Sequence, residues 1–182
     1  MDWTIPGTVL RRPRAEAEVI EEQFSSLFLA GGLALGQISG ITGLEAYTIQ
    51  NWVKRGFLTP PVKKKYTLRQ LCRILNINML KSVLPMERVC SLLEYVNGQL
   101  DDESDDLIDD AKLYFLFVRL AARAKELDKA EDTNTLLEKE LADYCEPIPG
   151  AKERVKKVLR IMITAWLAAR MRQEAERMLA EL

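Results

Sequence analysis

The sequence predicts an all-α chain in which a helix-turn-helix with a short extended projection precedes a bundle of helices. Three observations predict it. Apolar residues recur at steps of three and four along most of the chain, no sustained alternation marks a strand, and residues 35–58, LGQISGITGLEAYTIQNWVKRGFL, space their glycines and apolar side chains as two short helices joined by a tight turn.

Residues 1–13 hold Pro6, Gly7 and Pro13 and are expected to form an irregular arm. From Arg14 to about Ala30 the residues Ala15, Val19, Ile20, Phe24, Leu27 and Phe28 line one helix face, and Gly31-Gly32 breaks it. In the helix-turn-helix, Ile38 and the small Ser39 belong to the first helix, and Gly43 sits at the turn, where a positive backbone angle is costly for other residues. Leu44, Ile49 and Trp52 pack the second helix on the first, and Gly56 caps it. That burial leaves Tyr47, Thr48, Gln50, Asn51 and Lys54 outward, side chains able to reach base edges or phosphates in a major groove.

Thr59-Pro60-Pro61-Val62 is forced extended, because proline fixes its own torsion and disfavours helix in the residue before it. Lys63, Lys64, Lys65 and Tyr66 follow, placed as a wing that lays cations on a DNA backbone. A capping box, Thr67 to Gln70, opens a helix running to about Val83 with Leu68, Leu71, Cys72, Leu75 and Met79 inward. Pro85 with Glu87 starts another through Val89, Leu92, Leu93 and Val96. Gly98 and the acidic run 101–106 mark a boundary, beyond which helices are predicted over 104–128, about 133–145 and 151–181. The division expected is thus 1–34, an arm and amphipathic helix; 35–99, a winged helix-turn-helix domain that binds DNA; and 100–182, a helical dimerisation or effector domain.

The order helix-turn-helix, W-x-x-x-G-x-L, extended prolines, basic wing, Y-[ST], helix and short L-[PS]-x-E helix resembles the N-terminal winged domain of MerR-type regulators. The run FLTPPVKKKYTLRQL with NMLKSVLPMERVCSLL resembles more closely a bacterial family, common in Gram-positives, described as a domain of unknown function and related to the MerR-like group; the likeness spans about residues 15–98. It implies a DNA-binding regulator, with contacts from Thr48, Gln50, Asn51 and Lys54 on the second helix and from Lys63, Lys64, Lys65 and Tyr66 in the wing. The wing is several residues shorter than in MerR-type proteins, and Gln50-Asn51 stands where they have Arg-Tyr. The last 80 or so residues lack that group's long dimerising helix with its metal-binding cysteines, so metal sensing is not implied.

Composition narrows the function. There are 26 basic and 27 acidic residues, and the −1 net charge hides an uneven spread: residues 45–73 hold Lys54, Arg55, Lys63, Lys64, Lys65, Arg69 and Arg73 against Glu45 alone. The chain has no histidine, which removes the commonest general base and zinc ligand. With no phosphate loop and no nucleophile beside a base, no enzyme is expected, and neither a cofactor nor a catalytic or metal-binding residue is assigned. Cys72, Cys90 and Cys145 fit neither a disulfide framework nor a zinc cluster, and buried structural thiols are expected. The start shows no secretory leader and no apolar run spans a membrane, which points to a cytoplasmic protein.

Two clusters compete with this reading. Asp101, Asp102, Glu103, Asp105, Asp106, Asp109 and Asp110 lack the order of a calcium loop and read as a solvated linker and an acidic first turn. Trp166 with Met162, Ile163 and Met171 reads as core or dimer packing, with an effector pocket as the alternative. The function expected is a sequence-specific transcriptional regulator bound to double-stranded DNA as a homodimer, its C-terminal domain open to an unidentified small-molecule or protein effector. The alternative is a protein-interaction adaptor that keeps the winged fold without specific DNA reading.

Overall fold

The computed structural model describes residues 2–123 and 130–182. The described residues are mostly helical, with eight α-helices and two small two-stranded sheets. The stretch expected as an irregular arm is a hairpin, β1 (Asp2–Thr4) antiparallel to β2 (Arg11–Pro13). Trp3 and Ile5 anchor it in the core. Gly7, at φ 75°, lies so close to the Leu75 carbonyl oxygen that a Cβ would meet it at 2.6 Å. Composition hides such a hairpin because three-residue strands are too short to show alternation.

A 3-10 helix, Arg14–Val19, feeds α1 (Ile20–Leu27), so the first half of the expected amphipathic helix is wound more tightly. After the Gly31-Gly32 turn, β3 (Leu33–Ala34) runs into α2 (Leu35–Thr42), and a three-residue turn leads to α3 (Ala46–Lys54). β4 (Lys65–Tyr66) pairs antiparallel with β3, Leu33 opposite Tyr66 and Ala34 opposite Lys65. Then come α4 (Leu68–Leu80) and α5 (Met86–Asn97).

Beyond a 3-10 turn at Glu103–Asp105 lie α6 (Asp110–Ala122), α7 (Ala130–Glu140) and α8 (Ala151–Ala180). The part of the expected 104–128 helix past residue 123 lies outside the described residues.

α4 is the central element. α2, α5, α6 and α8 all pack on it, and one apolar cluster runs from Trp3 to Trp166, continuous across the acidic segment 101–106. Burying each large side chain of this cluster is worth about 1.5–3 kcal/mol. The segment itself is not a solvated linker throughout. Arg69 reaches Glu103 and Asp106, each at 2.9 Å, and Arg73 reaches the fully buried Asp110 at 3.4 Å. Asp109 does cap α6, accepting from the N–H groups of Ala111 (2.8 Å) and Lys112 (3.0 Å).

Cys72 and Cys90 are buried as expected, but Cys145 is exposed, because α7 ends at Glu140 and leaves that thiol off any helix face. α8 is about 45 Å long at 1.5 Å per residue. Its first two-thirds close the bundle, and from Arg170 onward every residue is exposed. No helix among the described residues is long and apolar enough to cross a membrane.

Candidate nucleic-acid interface

The pair α2–α3 is fixed by its turn. Thr42 donates its hydroxyl to Ile38 O (2.9 Å) and accepts from Leu44 N–H (3.2 Å), ending α2. Gly43 follows at φ 70°, and a Cβ there would lie 2.5 Å from a Val9 methyl. The N-terminal hairpin therefore closes over this turn, which Val9 N–H also marks by donating to Ile41 O (3.0 Å). Asn78, from α4, donates to Thr42 O (3.1 Å) and to Gly7 O (2.9 Å), tying both to the central helix.

α3 then divides cleanly. Ile49 and Trp52 are buried, as their spacing predicts, while Gln50, Asn51 and Lys54 are exposed, Tyr47 is 64% exposed and Thr48 is half-buried. Two further cations flank the helix, Arg55 of the basic patch and Lys81, which the sequence did not single out. Arg55 lies over the Phe57 ring at 4.6 Å, and Lys81, from the end of α4, lies over Trp52 at 5.3 Å. Lys81 is 29 positions from Trp52 in sequence, so no local pattern could place it there; partial burial holds its ammonium below the ordinary lysine value.

The lysine segment is a tight hairpin. Val62 bridges Lys65, whose N–H donates to Val62 O (2.9 Å). The two residues between, Lys63 and Lys64, have φ of 49° and 62°. Consecutive left-handed residues closed by that bond are the signature of a type I′ turn, which ordinarily takes Asn-Gly. Left-handed backbone costs a residue with a Cβ roughly 1–2 kcal/mol. Lys63, Lys64 and Lys65 are all exposed.

Gln70 holds this hairpin on α4. Its Oε1 accepts Thr67 N–H (2.9 Å) in the expected capping box, while its Nε2 donates to Thr59 O (2.9 Å), Thr59 Oγ1 (3.0 Å) and Pro60 O (3.1 Å). β4 pairs with β3, β3 continues into α2, and α2 packs on α3. A short run of backbone thus connects the lysine tip to the polar face of α3.

Two expectations need correction. Tyr66 is only 3% exposed: as the β4 residue opposite Leu33 it turns inward, and burial raises its phenol above the ordinary value, so it offers no surface contact. Arg69 and Arg73 likewise leave the basic patch, since both face the acidic segment, and Arg73 Nε also donates to Phe57 O (3.0 Å). The remaining residues of the expected interface, Tyr47, Thr48, Gln50, Asn51, Lys54, Lys63, Lys64 and Lys65, are at least partly accessible.

The model of a family described as "Domain of unknown function (DUF1836)" matches residues 19–117, a stretch that holds both α3 and the lysine hairpin. A relative from Bacillus subtilis (strain 168), "Uncharacterized protein YkrK", is 29% identical over 116 residues, which is 62% of this chain and 48% of the relative. The chain thus spans about half the length of that curated relative. No solved structure matches.

Proposed function

The chain belongs to the DUF1836 family, and from its geometry we propose that it is a sequence-specific DNA-binding transcriptional regulator with a MerR-like winged helix-turn-helix. The observation that carries this reading is the polar outer face of α3, joined through α2 and β3 to a lysine-tipped hairpin whose backbone is left-handed at both tip residues. Strained backbone persists where something other than stability selects it. Two adjacent cations at the apex of a rigid turn suit phosphate contact, and Gln50 and Asn51 have the amide pairs that read adenine edges in a major groove.

In this reading α3 enters the major groove and the hairpin lies on the flanking backbone. A second copy supplies the other half-site, about 34 Å away along the duplex. The far end of α8 supports the dimer: Met171 and Met178 are 75% and 58% exposed, and with Ala168 and Ala175 they recur at steps of three and four along one face. Such spacing is that of a helix seam awaiting a partner helix.

Fluorescence anisotropy on DNA recovered by selection from a random pool, at two salt concentrations, tests the function. The expected result is an enriched sequence bound at least a hundredfold more tightly than bulk DNA, with affinity falling steeply with salt. Weak, sequence-blind binding would instead favour an adaptor with a basic docking face.

A further inference from the structure

We infer that the cleft between the N-terminal hairpin and α8 is a binding site for a small organic anion with an aromatic or otherwise apolar body. This cavity, about 570 Å³, is lined by the hairpin residues from Trp3 to Thr8, by Arg14, by α4 around Met79 and by Trp166, Arg170 and Gln173 of α8. Its volume is in the range of sites for small ligands, roughly 300–1,000 Å³. The inference stands on this cleft alone and holds whether or not α3 reads DNA.

Charge is the first argument. Among the described residues no aspartate or glutamate lines the cleft, yet two arginines do. Arg14 Cζ lies 5.2 Å from the Trp3 ring centre and Arg170 Cζ lies 4.8 Å from that of Trp166, and the two indoles meet edge to face at 6.4 Å. The result is a row of cation, ring, ring, cation. Among the described residues neither guanidinium has a carboxylate within 4.0 Å, and Arg14 donates only to Ala122 O (3.1 Å). Burial, and then the nearby charge of Arg170, push the Arg14 guanidinium below its ordinary value. Two like charges border one cleft, Arg14 partly desolvated, and among the described residues no carboxylate opposes them, a situation that an anion relieves.

A second, independent observation is Trp3 itself. It is 6% exposed, and its Nε1–H is buried without an acceptor among the described residues. A buried donor left unpaired destabilises the empty site, and a ligand acceptor would satisfy it. The neighbouring surfaces of Ile5, Met79, Trp166 and Ala169 are apolar, which is why a bare inorganic ion would leave most of the cleft unfilled.

A cavity of equal volume beside α6 and the end of α7 makes the contrast. There Arg69 and Arg119 face Glu103, Asp106, Glu21 and Glu140, and each already holds an ion pair. The cations of that cavity all have carboxylate partners; among the described residues those of the Trp3–Trp166 cleft have none.

Titration calorimetry on the full chain, with benzoate, phenyl phosphate, inorganic phosphate and benzyl alcohol as probes, tests the assignment. The expected result is saturable binding of benzoate or phenyl phosphate that weakens with salt, with inorganic phosphate and benzyl alcohol at least tenfold weaker. Arg170→Gln, at an exposed position, and Arg14→Gln are each expected to weaken that binding tenfold or more. Arg172→Gln, which carries an exposed arginine outside the cleft, is expected to leave it unchanged. An unshifted unfolding midpoint for Arg170→Gln shows that the loss is not a loss of fold. Absence of saturable binding by both aryl anions, equal binding of benzyl alcohol, equal binding of inorganic phosphate, or insensitivity to Arg170→Gln each overturns the inference.

Discussion

Replacing Lys63 with Asn and Lys64 with Gly is expected to make the protein more stable and a poorer DNA binder at once. Both lysines have left-handed backbone, φ 49° and 62°, in a turn closed by Lys65 N–H to Val62 O. Glycine at 64 releases roughly 1–2 kcal/mol of steric cost, and asparagine at 63 releases part of as much again because it tolerates this region. Against this stands the greater freedom that glycine gives the unfolded chain, about 0.5–1 kcal/mol. The net gain is about 1 kcal/mol, which for a domain of this size raises Tm by about 2–4 °C. On the DNA side two cations are lost, so the slope of log affinity against log salt becomes shallower by about 1.8. Thermal unfolding and anisotropy at four salt concentrations measure the two effects separately. A companion Lys63→Ala, Lys64→Ala variant is expected to lose the same salt slope without the gain in Tm. An unchanged or lowered Tm in the Asn-Gly variant refutes the strain argument, and an unchanged salt slope refutes phosphate contact by the hairpin.

Gln50→Ala and Asn51→Ala are each expected to shift the preferred base at one position and to cost about 1–3 kcal/mol on the selected site, while binding to bulk DNA hardly changes; repeating the selection with each variant checks this. Met171→Glu with Met178→Glu, at positions that touch nothing within the chain's own core, is expected to give a folded monomer by sedimentation, and a dimer of undiminished strength would remove α8 from the interface. Asp106 is expected to titrate in the folded protein near pH 6, since burial raises its carboxyl to about 6 against the pull of Arg69 and with the push of Asp110. The folded state then holds a proton that the unfolded state has released, so this group's contribution to stability is fully present below about pH 4 and is lost as pH rises through 6; in Asp106→Asn the unfolding midpoint is expected to lose that part of its pH dependence.

How much of this was legible in the sequence depended on the range of the interactions involved. The turn at Gly43 and the inward set Ile49 and Trp52 follow from contacts within one supersecondary unit, and there spacing and structure agree. The capping box from Thr67 to Gln70 was equally visible, but the second task of Gln70, holding Thr59 and Pro60, was not, because nothing local says which carbonyls its amide nitrogen will meet. Tyr66 misled because it follows three exposed lysines. Its burial is decided by Leu33, 33 positions earlier, through a two-residue strand pairing too short to leave a pattern. Arg73 misled for a similar reason: its partner Asp110 is 37 positions downstream in a segment that composition marks as solvated. Arg170 over Trp166 is an i,i+4 pair on α8, but the meeting of that pair with Trp3 and Arg14 joins distant parts of the chain and has no local signature.

The inward turn of Arg69 and Arg73 also sets a limit on the proposed DNA interaction. Of the seven cations between 45 and 73, five remain exposed, Lys54, Arg55, Lys63, Lys64 and Lys65, and the opposing Glu45 is exposed as well. If each of the five neutralises one phosphate, log affinity changes with log salt by about −4.5 per copy, and by about −9 for a dimer with both half-sites engaged. A monomer that binds one half-site therefore has half the slope of the dimer. Measured on the Met171→Glu, Met178→Glu variant and on the unaltered chain, the two slopes count the phosphate contacts and the copies together. A slope near −9 that stays the same in a variant shown to be monomeric would mean that cations outside this patch carry the binding, with Arg11 and Arg12 on the exposed strand β2 the first to test.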